Sequence, residues 1–122
     1  MISADLWTLA CQVLRWHNQP GHTCIDTVNR LWRKSPWVGD TSILPIIQEE
    51  QIVVTEESWD LGRLWPLVHQ RQLTSNTPAS TTSPIILVRW FDKDFLLDGR
   101  TRINHWKRTA NIGPHDVLVI HA

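Results

Sequence analysis

The chain reads as a mixed α/β domain, of α+β type, in which an N-terminal helical hairpin precedes a small mixed sheet. Three observations predict it. Residues 3–33 carry two apolar stripes of helical period, divided by the break Asn18-Gln19-Pro20-Gly21. Residues 85–97 hold two β-prone apolar runs around the polar turn Asp92-Lys93-Asp94. Past Asp98-Gly99 the pattern turns helical, and Val117-Leu118-Val119-Ile120 follows as a last apolar strand.

Each element has its own warrant. Ser3 is a natural cap for a helix running to about His17, with Leu6, Trp7, Leu9, Ala10, Val13, Leu14 and Trp16 on one half of the wheel. Thr23 and Asp26 fit a variant capping box for a second helix. Its stripe is Ile25, Val28, Leu31 and Trp32, and it stops at Ser35-Pro36. Trp37 to Asp40 then connects. Ile43–Ile47 and Gln51–Val54 read as short strands. Thr55-Glu56-Glu57-Ser58 reads as a helix start, its acidic residues favoured by the dipole, with the helix running to about Leu73 and interrupted near Gly62 and Pro66. Residues 74–83 hold no large apolar side chain, which predicts a mobile, exposed loop. A strand at Ile85–Phe91 then pairs with Phe95–Leu97, and a helix from about Thr101 to Ala110 presents Ile103, Trp106 and Ala110 inward.

A length of 122 residues fits one domain, with residues 1–39 as the helical hairpin and 40–122 as the α/β part. Net charge is zero, yet residues 84–122 carry six basic against four acidic groups, while residues 40–83 carry two against six. That distribution excludes a general nucleic-acid coat and leaves room for a local basic site. No run of apolar residues reaches membrane-spanning length and no signal-peptide pattern opens the chain, so the expectation is a cytoplasmic protein without membrane partners. Two Cys make no disulfide framework. Cys11, His17, His22 and Cys24 are ligand types near one another, but their spacing matches no common zinc module, and no metal site is assigned. Cys11 falls off the apolar face and, with Cys24, has no redox-motif character. With eight Trp against two Phe and no Tyr, indoles must fill most of the aromatic core.

The chemistry concentrates at Asp98-Gly99-Arg100-Thr101-Arg102, where a strand ends, glycine turns the chain and a helix begins at once. Leading helix amides lack intrahelical partners and carry partial positive charge. Two guanidiniums in the same turn add donors suited to phosphate oxygens. Gly99, Arg100, Thr101 and Arg102 therefore form a candidate anion site, with His105 one turn further on. Asp98, the candidate catalytic residue, could orient an Arg, assist a proton transfer or hold a metal ion against the phosphate. The plainer alternative is that Asp98 and Thr101 only cap the helix while the arginines lie in solvent.

Pro84-Ile85-Ile86-Leu87-Val88-Arg89, a short turn and Phe95 through Trp106 resemble the ParB/sulfiredoxin superfamily, in its ParB-like domain form. In that pattern a "PI-x-V" strand precedes a hairpin, an "hDG-x-x-R" turn opens a helix, and a strand like Val117–Ile120 closes the unit. The resemblance spans roughly the last third of the chain. It implies a nucleotide- or phosphate-binding turn held by Gly99, with Arg102 as the phosphate-binding arginine and a nucleotide, with or without magnesium, as ligand. Sulfiredoxin has its catalytic cysteine directly after this glycine and a histidine next; Arg100 and Thr101 stand here, which excludes peroxiredoxin repair by that mechanism. Partitioning ParB proteins carry a glutamate after the glycine, a further arginine-bearing motif and a helix-turn-helix domain, none of which is found here.

Three functions remain in competition. One is a nucleotide- or phosphate-binding domain, with or without phosphoryl transfer or phosphodiester cleavage, for which Glu49, Glu50, Glu56 and Glu57 are undistinguished candidate bases. Another is a non-catalytic protein-interaction module using Trp-bearing surfaces. The third is a nucleic-acid binder in which Arg100, Arg102, Lys107 and Arg108 meet backbone phosphates.

Overall fold

The computed structural model describes residues 3–34, 44–68, 78 and 80–122. The chain opens with helix α1, Ser3–Leu14, continued by a 3₁₀ turn at Arg15–His17, and then helix α2, Cys24–Arg33. Both parts of the expected capping box form. The Asp26 carboxylate accepts from the Thr23 amide at 3.0 Å, while the Thr23 hydroxyl accepts from the Asp26 amide at 3.5 Å.

A 3₁₀ turn at Glu49–Gln51 leads into strand β1, Val53–Trp59, followed by the short helix α3, Leu61–Leu64, and a 3₁₀ turn at Trp65–Leu67. Strands β2, Ile85–Trp90, and β3, Lys93–Asp98, form the expected hairpin. Helix α4, Arg100–Arg108, and strand β4, His115–His121, complete the fold. The four strands lie in the order β1-β4-β2-β3. β4 runs antiparallel to β1 and parallel to β2, so the last strand in sequence is central in space.

Central position explains the near-continuous apolar runs of β2 and β4, since such strands are buried on both faces. On one face Ile86, Val88, Leu118 and Ile120 pack with Leu6, Ala10 and Leu14 of α1 and Val28 and Trp32 of α2. On the other, Ile85, Leu87, Val117 and Val119 pack with Leu61, Leu64, Ile103 and Trp106 of α3 and α4. Trp32, Trp59 and Trp106 are buried. Trp32 meets Phe95 edge-on at 5.0 Å between ring centroids and hydrogen-bonds the Pro45 carbonyl through its indole nitrogen. The partner for that nitrogen is what lets a Trp sit fully inside.

Two expected elements are corrected. The part of Ile43–Ile47 that is described, from Leu44, is not a strand. Asn29 of α2 takes both polar backbone groups of Ile47, donating to its carbonyl at 2.9 Å and accepting from its amide at 2.8 Å, so this segment is held by a side chain instead of a ladder. The helix expected from Thr55 is strand β1, paired with β4 along its length. Its acidic Glu57 serves no helix dipole. It is gripped by Arg89 of β2 at 2.7 and 3.1 Å and accepts from the Trp59 indole at 2.8 Å. Among the described residues α-helix does follow at Leu61–Leu64, where Asp60 caps it by accepting from the Arg63 amide. Residues 69–73, the connector at Trp37–Asp40 and half of the loop at 74–83 lie outside the described residues.

Candidate functional site

β3 delivers Asp98 to the end of the sheet, where Gly99 turns the chain and α4 starts at Arg100. Gly99 has φ +126°, and a Cβ at this position would lie 2.3 Å from Ile85 Cδ1. Conformation and space both demand glycine. As N-cap of α4, Gly99 brings no side chain to the leading amides.

Asp98 is turned inward. It is 6% exposed, its Oδ1 lies 2.8 Å from His17 Nε2, and its Oδ2 accepts from an Arg102 terminal nitrogen at 3.0 Å. Of the roles open to Asp98 from the sequence, orienting an arginine is visible in its bond to Arg102. The same Arg102 nitrogen donates to the Pro84 carbonyl at 2.9 Å, while its Nε is buried without a hydrogen-bond partner. Arg102 thus points inward and is charge-paired, whereas Arg100 is exposed, as a separation of two residues on a helix requires. Thr101 and His105 are half-buried, and His105 Nδ1 lies 3.5 Å from an Arg108 nitrogen. Asn104 is almost fully buried, donating to the Arg100 carbonyl at 3.0 Å with its own Oδ1 unpartnered.

His17 arrives from the far end of the sequence. It closes the 3₁₀ turn after α1, its carbonyl accepts from Arg30 of α2, and its ring lies tilted against Trp16 with centroids 3.5 Å apart. Trp16 itself is 72% exposed. The helical hairpin is therefore fastened to the Asp98 turn. Beside this junction lies a cleft of about 310 Å³, lined by Leu9, Gln12 and Val13 of α1 and by Thr82, Ser83 and Pro84. Pro84 joins the cleft to Arg102 through its carbonyl.

The start of α4 brings together uncapped leading amides and the positive end of the helix, with Arg100 as its first residue. At Asp98 both carboxylate oxygens are engaged, one with His17 and the other with Arg102. Among the described residues no three His, Cys, Asp or Glu come together as a metal site.

Compared with protein-family models, curated proteins and solved structures, the chain gives no significant match. Among the described residues no helix is long and apolar enough to cross a membrane. The site residues that the sequence did not single out for this turn are His17, Asn104 and the Pro84 carbonyl. His17 was visible only as one of several ligand-type residues, and its partner lies 81 positions away. No local pattern connects them.

Proposed function

We propose that this chain is a nucleotide- or phosphate-binding domain of ParB-like type, with its anion site at Gly99, Arg100 and Thr101. The observation that carries the reading is the opening of α4 on a positive-φ glycine N-cap, which leaves its leading amides without a side-chain cap. A helix start of this kind favours an anion, and the exposed Arg100 adds charge-assisted donors. The resemblance of residues 84–120 to the ParB/sulfiredoxin pattern supports the same assignment. Arg102, paired to Asp98 and to the Pro84 carbonyl, acts in this reading by bracing the turn from below. The domain works in the cytoplasm, where free nucleotides are held.

Titration calorimetry with pyrophosphate and with a nucleoside triphosphate tests it. Wild type should bind both, and Arg100→Ala should weaken binding about tenfold, as expected for loss of one charged hydrogen bond. Added salt should shrink that difference, because the guanidinium is exposed. Identical affinities for wild type and Arg100→Glu, or no binding by either, would remove the reading. An interaction module is the second reading, favoured by the solvent-facing rings of Trp16 and Phe91, which are 72% and 81% exposed.

A further inference from the structure

Of the tryptophans among the described residues, Trp16 alone is exposed, at 72%. An exposed indole lacks the packing that normally fixes it, yet this one is held in place. Its neighbour His17 is anchored twice, through its ring to Asp98 and through its carbonyl to Arg30 of α2. The Asn18 amide closes the same turn on the Arg15 carbonyl at 3.1 Å, and the Asn18 side chain accepts from the Thr27 hydroxyl of α2. The His17 ring lies against one side of the indole, and most of the remaining surface faces solvent. Trp16 is therefore a flat aromatic surface set in place before anything binds, which lowers the cost of binding.

We propose that Trp16 is the stacking platform for the base of a nucleotide whose phosphates sit at the start of α4, which makes the ligand a nucleoside polyphosphate instead of inorganic phosphate. The platform rests on the reading of the α4 start as an anion site, and supplies the recognition that phosphate contacts cannot. The two places adjoin. His17 alone separates Trp16 from Asp98, and Asp98 directly precedes Gly99, the N-cap of α4. One imidazole and one carboxylate part them, a gap on the scale of a ribose and its first phosphate. The α4 start also has a mark of a ligand beyond its uncapped amides. Arg102, 8% exposed, lies under Gly99 with a terminal nitrogen 3.2 Å from where a Cβ would stand, and its Nε is buried without a partner. Every base has a π-face, so one indole can stack any of them. A protein partner would call for an apolar patch around the ring. Trp16 is instead flanked in the chain by exposed Arg15 and by the polar His17 and Asn18. The helical hairpin thereby gains a role, since it carries the platform and His17 fastens it beside the turn.

Titration calorimetry of the full chain with ATP and with inorganic tripolyphosphate separates the platform from the anion site. Wild type should bind ATP more tightly. Trp16→Ala should weaken ATP about ten- to a hundredfold, the range expected for loss of one base–aromatic stack, and leave tripolyphosphate unchanged. Trp16→Phe should keep most of the ATP affinity. Unchanged tripolyphosphate binding also shows that the variant is folded. Equal ATP affinities for wild type and Trp16→Ala would overturn the platform and leave the anion site standing. So would an equal loss for both ligands in Trp16→Ala, or wild-type binding of tripolyphosphate as tight as that of ATP. Binding of neither ligand by wild type would remove the anion site, and the platform with it.

Discussion

Asp98 illustrates how much one carboxylate can decide. It accepts from Arg102 and meets His17, so one buried side chain joins β3, α4 and the turn after α1. Removing one partner from a buried ion pair leaves the other desolvated and uncompensated, which typically costs about 3–5 kcal/mol. Asp98→Ala should therefore lose roughly that much stability in urea titration, whether or not an anion is present. A change below about 0.5 kcal/mol, the usual range of a surface substitution, would mean that the pair contributes nothing. Part of this was legible: the Asp-Gly-x-x-Arg spacing puts Asp98 and Arg102 four residues apart, one helical turn, where they can meet. That His17 completes the group was not, because nothing local distinguishes a histidine that will cross the molecule.

At the scale of elements, the side chains of Glu57, Arg89 and Asp94 tie β1, β2 and β3 together across one face of the sheet. Arg89 holds Glu57 with two nitrogens and Asp94 with a third at 2.7 Å. Its hydrogen bonds, reinforced by the Trp59 indole, lower the Glu57 carboxyl from 4.5 to about 2. The folded value lies below the unfolded one, so this stabilisation is full above pH 4.5 and is lost as the pH falls towards about 2. Glu57→Gln should be less stable than wild type at neutral pH, and the gap should close through that window. Urea midpoints measured across it provide the check, and a gap independent of pH would exclude the linkage. The same glutamate explains the one misread strand. Glu56-Glu57-Ser58 has the composition of a helix N-terminus, and pairing with the distant β4 makes it a strand, with an arginine 32 residues away holding Glu57. By contrast the β2–β3 hairpin, α4 and the Thr23–Asp26 capping box were legible, because their determinants lie within a few residues of each other. Ile47 shows the opposite case: a β-prone run left unpaired because Asn29 occupies its backbone groups.

For the molecule as a whole, the two apolar layers share β2 and β4. Ile86, Val88, Leu118 and Ile120 serve the α1–α2 layer, and Ile85, Leu87, Val117 and Val119 serve the α3–α4 layer. Neither layer can be removed without uncovering the opposite side of the same strands, so the domain should unfold in one cooperative step. Circular dichroism and Trp fluorescence should give coincident denaturation curves. Separate transitions would show that the helical hairpin is an independent unit.

The place of β4 also bears on how the chain is made. During synthesis every other strand emerges before the one to which β1 and β2 must pair. Until Val117–Ile120 clears the ribosome, β1 has no neighbour, and the β2–β3 hairpin exposes an apolar edge on a nascent chain. Native structure therefore has to form after nearly all of these residues have been translated, and the waiting chain is a natural client for a chaperone. A chain ending at Pro114 should be degraded rapidly by a nonspecific protease under conditions in which the full chain survives.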